Sequence, residues 1–235
     1  MSTTREGVCV VTGVGPGTGA ALCRRFAETH RVAMLARSAD ALRELAGAIE
    51  GTRAYPTDVT DAEAVRSTFA RIRSELGPVR VLLHNAGNAT FGDFSRITPD
   101  QFEQAWKVNA LALVLCGQEA ARDMEAQGGG AIVITGATAS LRGGEGFAAF
   151  APAKAAQRSL AQSMARHLGP KGIHVAYVIV DGVIDMPTTR RFLPDRPDEQ
   201  FLQPAAIAET FHHVVHQDRS AWTFEVDVRP FGEKW

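Results

Sequence analysis

A glycine-rich stretch near the start of the chain has the composition and spacing to hold a phosphate. It reads Thr12-Gly13-Val14-Gly15-Pro16-Gly17-Thr18-Gly19, directly after the apolar run 8–12 and directly before a helical pattern. Glycine permits positive φ in a tight turn and lets the backbone approach a pyrophosphate closely. The first N–H groups of the following helix then meet the anion with a partial positive charge. Gly13, Gly17 and Gly19 match Thr-Gly-x-x-x-Gly-x-Gly, whereas a G-x-G-x-x-G register begun at Gly13 would need its last glycine at Thr18. The turn formed by Gly13, Gly15, Pro16, Gly17, Thr18 and Gly19 is therefore expected to cradle a dinucleotide. At the end of the next strand an acidic residue would bind a ribose 2′-hydroxyl and select NAD. The chain instead has Arg37-Ser38. Arg37 can pair with a 2′-phosphate and Ser38 can add a hydrogen bond. NADP is the expected cofactor, with NAD less favoured. The blander alternative is a solvated arginine at a strand end and a serine that caps the next helix.

These residues need a scaffold, and the hydrophobic pattern supplies one. Short β-branched runs at 8–12, 31–36, 79–84, 131–135 and 174–180 read as parallel strands buried on both faces. Weaker strands are expected at 53–55 and 224–228. Helices fit between them. Val65, Phe69, Ile72 and Leu76 recur at helical spacing within 60–77, with Thr60 and Glu63 as a capping box. Leu42, Leu45 and Ile49 mark another helix. Thr98, Pro99 and Gln101 open a long one, and 151–168 and 204–216 supply two more. Alternation of strand and helix predicts an α/β fold: a doubly wound, Rossmann-like parallel sheet with helices on both faces. The whole chain, 1–235, reads as one domain. Residues 185–203, rich in Pro and Arg and without periodicity, read as a substrate-covering lid loop.

Composition narrows the function classes. Hydrophobic residues make up 45% and charged residues 22%, with a net charge of −1, so neither nucleic acid nor an anionic membrane is an expected partner. A small-molecule substrate is. Residues 1–7 are polar and lack a signal-peptide pattern, and no apolar run reaches the ~18 residues of a membrane span. A cytoplasmic location is expected. Cys9, Cys23 and Cys116 lie in apolar stretches and read as buried free thiols. His212, His213 and His216 share a helix with no evident carboxylate or thiol partner, so a solvated face is expected there and no metal.

Further motifs, in this order and spacing over nearly the whole chain, resemble the short-chain dehydrogenase/reductase family. Asp58-Val59 is similar to the family's adenine contact. Asn85-Ala86-Gly87 is similar to the Asn-Ala-Gly signature that lines the cofactor site. Asn109 matches the active-site asparagine, Lys154 the catalytic lysine, and 203–208 the start of a late helix. The resemblance implies that Lys154 holds the ribose, Asn109 orders water, and Ile184 offers its backbone to the nicotinamide carboxamide. It also implies a homodimer or homotetramer, built on the apolar helix 105–118.

Two catalytic hydroxyls of that family are missing. Its tyrosine, four residues before the lysine, is Phe150 here; its serine, thirteen residues earlier still, is Ala137. Thr138 and Ser140 flank the vacant serine position, and Thr138 is the candidate to hydrogen-bond a substrate. Tyr55 and Tyr177 are expected in or near buried strands, away from a nicotinamide. Where the family has Pro-Gly-x-Val-x-Thr, the chain has Asp181-Gly182-Val183-Ile184-Asp185-Met186, with Thr188 or Thr189 as substitute hydroxyls. Two functions remain open. One is an NADP-dependent oxidoreductase passing hydride to or from a small carbonyl or conjugated C=C compound. The other is a non-catalytic NADP-binding sensor or partner subunit.

Overall fold

A computed structural model describes residues 6–233; the start of the polar segment 1–7 and the two ends of the 1–235 domain lie outside the described residues. The chain opens with β1 (Val8–Thr12), α1 (Thr18–Ala27), β2 (Arg31–Ala36), α2 (Ala39–Ala48), β3 (Thr52–Pro56), α3 (Ala62–Glu75) and β4 (Val79–His84). It continues with α4 (Pro99–Trp106), α5 (Ala112–Ala126), β5 (Gly130–Ala137), α6 (Phe150–Leu168) and β6 (Ile173–Val180). Then follow β7 (Val183–Ile184), α7 (Pro187–Phe192), β8 (Phe201–Leu202), α8 (Pro204–Val215) and β9 (Glu225–Val228). Seven parallel strands form a sheet in the order β3-β2-β1-β4-β5-β6-β9, and β7 pairs separately with β8. The order reverses between β1 and β4, which opens a crevice at their carboxyl ends.

Strands covered on both sides need apolar residues at successive positions, and β1 and β6 are buried throughout. Alternate residues of β1 divide two cores. Val8 and Val10 join Phe69, Ile72 and Leu113 on one side, while Cys9 and Val11 join Leu22, Phe26, Leu42 and Phe211 on the other. Each such large side chain, fully buried, stabilises the fold by roughly 1.5–3 kcal/mol. Arg73 of α3 ties α5 to the sheet, reaching Glu119 at 2.5 Å and Asp123 at 2.6 Å, while Asp123 also accepts the Val79 N–H at 2.9 Å. Among the described residues no helix is long and apolar enough to cross a membrane.

Four local expectations change. The cap of α3 is Asp61, which accepts the Glu63 and Ala64 N–H groups; Thr60 instead turns its N–H and hydroxyl to Asp58. The long central helix is interrupted by a wide π turn, Lys107–Leu111, between α4 and α5, whereas its Thr98 cap and Gln101 form the expected capping box. Segment 185–203 is not an open loop. It holds α7, and Arg190 and Arg196 are engaged there with Asp185 at 2.7 Å and Glu233 at 2.7 Å. β5 also outruns the expected 131–135, because Gly136 lies flat under the Tyr177 ring; a Cβ there would stand 2.2 Å from Tyr177 Cε1. Glycine weakens a strand in isolation, and here the ring requires it.

Candidate cofactor and active site

The turn between β1 and α1 is shaped for a group that approaches the backbone. Gly13 has φ of +68°, and a Cβ on it would stand 2.5 Å from Ala86 Cα. A Cβ on Gly19 would meet the Gly13 carbonyl and Val14 Cα at 2.8 Å, and one on Gly17 would meet the Met186 thioether at 2.2 Å. Gly15 faces open space. Backbone contacts give Gly13 and Gly19 a steric reason; Gly17 meets only the flexible Met186 side chain, and Gly15 meets nothing. Gly17 offers no capping side chain to α1, whose first turn carries no acidic residue. The buried Thr18 hydroxyl has no partner among the described residues. Free N–H groups, an orphan hydroxyl and a cradle without side chains suit a pyrophosphate.

A cleft of about 590 Å³ continues from this turn along the carboxyl ends of β2 and β3. Arg37, Ser38, Asp58, Val59, Ala86 and Gly87 line it, together with Gln104 and Val108. Arg37 is exposed at its mouth. Ser38 stands at the N-cap of α2 but makes no side-chain cap bond, so its hydroxyl is available to the cleft. Hydrogen bonds from the Thr60 hydroxyl and N–H hold the Asp58 carboxyl below its ordinary range, with a smaller contribution from the Arg37 charge. The arginine therefore stands beside a charged carboxylate and opposite open space.

Deeper in the crevice, Asn85 pins three strands. Its Nδ2 donates to the Gly13 carbonyl at 3.0 Å, and its Oδ1 accepts from the Thr135 hydroxyl at 3.0 Å. Thr12 Oγ1 accepts the Ala86 N–H at 3.2 Å and contacts His84 Nδ1 at 3.2 Å. Gly87 leaves room for two functional side chains, since a Cβ on it would lie 3.0 Å from Asn109 Oδ1 and 3.5 Å from Lys154 Nζ. Lys154 is 5% exposed. Its Nζ donates to the Thr135 carbonyl at 2.9 Å and to Gln157 Oε1 at 3.0 Å. Burial pulls this amine down to about 7. Asn109, on the π turn, donates through Nδ2 to the Ala105 and Asn88 carbonyls, while its own backbone carbonyl accepts from Gln157 Nε2 at 2.7 Å. That carbonyl is thus held by a side chain, while Asn109 Oδ1 stays unpartnered among the described residues.

The half of the site where hydroxyls would act is apolar. Phe150 opens α6 and meets Phe91 and Phe147 at ring separations of 5.9 and 6.1 Å. Thr138 directs its proton to Asp181 and Ser140 directs its own to the Ala137 carbonyl at 2.7 Å. Neither has its proton turned toward a substrate, and Thr138 retains only acceptor capacity. The Thr189 hydroxyl closes the first turn of α7, reaching the Ile184 carbonyl at 2.5 Å and accepting the Met186 N–H at 3.1 Å. Tyr55 spends its hydroxyl proton on Glu75 at 2.9 Å. Tyr177 does come close: its hydroxyl reaches the Lys154 carbonyl at 3.4 Å and Gln157 Oε1 at 3.2 Å. Gln157, Tyr177, Asp181 and Met186 are the neighbours that sequence reasoning did not assign. A polar residue at an inward position of α6, three after Lys154, was the one readable signal among them.

Comparison with known proteins follows the same lines. The family pattern described as short chain dehydrogenase matches residues 7–196. Over 182 residues the chain is 34% identical to a 3-oxoacyl-[acyl-carrier-protein] reductase MabA from Mycobacterium avium, spanning 77% of this chain and 68% of that protein. A short-chain dehydrogenase structure from Rhodopseudomonas palustris shares 36% identity at a TM-score of 0.82, covering 97% of this chain and all of that one. A short chain oxidoreductase from Pseudomonas aeruginosa PAO1, described as containing an atypical catalytic center, superposes at a TM-score of 0.89 over 98% of both chains. At 21% identity that last likeness speaks for the fold alone.

Proposed function

The chain belongs to the short-chain dehydrogenase family, the NAD(P)-dependent oxidoreductases, and from that premise we propose that it is an NADP-dependent reductase of a small α,β-unsaturated carbonyl compound. One contrast carries this reading: the groups suited to a dinucleotide converge on one crevice, while both positions for a proton-donating hydroxyl are apolar. Gly13, Gly17 and Gly19, with the α1 N-terminus, take the pyrophosphate. Arg37 and Ser38 take the 2′-phosphate, and Asp58 and Val59 flank the adenine. Lys154 donates to the ribose beside Gly87, where Asn109 Oδ1 can accept.

When bound, the nicotinamide supplies hydride to the carbon conjugated with the carbonyl. Phe91, Phe147 and Phe150 seat an apolar conjugated chain. Reduction of a ketone needs a proton delivered to oxygen, a positioned step that contributes ~10²–10⁴ in rate. Reduction at carbon can take its proton from solvent, so Phe150 and Ala137 are tolerated there. The M. avium relative is named for reducing a 3-oxoacyl group on an acyl carrier protein; the substrate proposed here is an acyl thioester of that kind with a conjugated C=C in place of the 3-oxo group. We assign to residues 185–203 the cover of the substrate, with exposed Arg191, a cation without an ion pair among the described residues, turned to it, and to helices α5 and α6 the contact of a homo-oligomer.

A second reading, NADP binding without turnover, draws on the same commitment of the Thr138 and Ser140 protons. Incubation with NADPH deuterated at its transferable position, together with a panel of enoyl thioesters and a metabolite extract, separates the two. Mass spectrometry showing label at carbon in the wild type, and none in Lys154→Ala, supports the reductase. NADPH binding with no labelled product overturns it in favour of the binder.

A further inference from the structure

The least explained buried group in the site is an uncharged amide. Gln157 is fully buried on α6, three residues after Lys154 and therefore on the same helix face. Its orientation follows from its partners. The amide nitrogen lies 2.7 Å from the Asn109 carbonyl, which can only accept, and the amide oxygen receives the Lys154 ammonium at 3.0 Å and the Tyr177 hydroxyl at 3.2 Å. A flipped amide would set its NH₂ against two donors and its oxygen against a carbonyl. One side chain thus joins the π turn, α6 and β6.

We propose that Gln157 is a positioning residue: it anchors the Lys154 ammonium to the Asn109 backbone so that the amine's remaining N–H is presented at Gly87, beside Asn109 Oδ1. The proposal rests on the reading of this crevice as the NADP site. Lysine has three donors, and Thr135 O and Gln157 Oε1 take two. The third and the orphan Asn109 Oδ1 together make a donor and an acceptor around the space that Gly87 keeps clear, which suits a hydroxyl of the ribose nearest the nicotinamide. An acceptor at Nζ also favours the charged amine against the burial that depresses it. The other titratable groups facing this amine oppose or ignore its charge. His84 of β4 is held neutral, pushed down to about 3 by burial and by Lys154 itself, and Tyr177 of β6 is pushed up by burial.

The test compares two ligands on the full chain, NADPH and 2′,5′-ADP, the latter lacking the nicotinamide ribose. In Gln157→Met, loss of a charge-assisted bond should weaken NADPH about tenfold or more and leave 2′,5′-ADP unchanged. In Gln157→Glu, the carboxylate should hold the amine charged, so that the loss of NADPH affinity on raising the pH through about 7 in the wild type moves to higher pH. A merely structural glutamine would weaken both ligands together. Equal losses for both ligands in a folded Gln157→Met, or an unmoved pH profile in Gln157→Glu, would overturn the proposal. The Glu variant keeps the acceptor at Lys154 but loses the donor to Asn109. If the Met variant does not fold, the Glu variant therefore decides through the same two ligands, a loss confined to NADPH supporting the proposal and equal losses overturning it. Failure of the wild type to bind either ligand would sink the cofactor reading itself, a distinct result.

Discussion

Replacing Lys154 by methionine should flatten the protein's stability response to alkali. The amine is buried, and its proton affinity falls from 10.5 to about 7 because desolvation disfavours the ammonium. At ~1.36 kcal/mol per pH unit this difference amounts to roughly 5 kcal/mol against the folded state when the amine is charged in both states. The native protein gives up this proton near pH 7, while the unfolded chain keeps it to about 10.5. Between those values the unfolded state binds more protons, so stability rises with pH. Urea unfolding at pH 6, 7, 8 and 9 would measure it. From pH 7 to 9 the wild type should gain about 2–3 kcal/mol relative to Lys154→Met. Cys9, Cys23, Cys116 and Tyr177 also titrate at high pH, but they are common to both proteins and cancel in the difference. Parallel pH curves for the two proteins would refute the argument that burial governs this amine.

Gly13→Ala should lose about 1–3 kcal/mol in thermal melts and lose NADPH binding, since it forces a side chain to a φ of +68° and against Ala86; Gly15→Ala should be near neutral in both. If the two behave alike, the Gly13, Gly17, Gly19 register is wrong. The double variant Ala137→Ser with Phe150→Tyr should raise ketone reduction by ~10²–10⁴ over the wild type. A folded double variant without that gain would argue that the crevice does not present a carbonyl to α6. Arg37→Glu should weaken NADPH binding by about tenfold to a hundredfold and tighten NADH, and added salt should erode the wild-type preference. Equal losses for the two cofactors would remove Arg37 from the 2′-phosphate site.

The order of the main-sheet strands and of the helices between them, the parallel sheet and the place of the crevice were legible in the sequence, whereas α7 and the β7–β8 pair were not. Unbroken β-branched runs, helical spacing and a glycine turn are local patterns, and each is decided by neighbours within a few residues. Lys154, Asn109 and Asn85 were picked out differently, by the resemblance of their surrounding motifs to those of the short-chain dehydrogenase family. Tertiary structure decided what the polar groups do once assembled. Thr60 forfeits its cap to Asp61 because Asp58 takes its hydroxyl. Gly136 belongs in a strand because Tyr177 lies over it. Thr138 turns its proton to Asp181, and Gln157 reaches across to Asn109 and Tyr177. Each of these last outcomes joins residues from about 20 to nearly 50 positions apart. A hydrogen bond acts over about 3 Å and depends on angle, so these partners exist only when the sheet has brought distant elements into register.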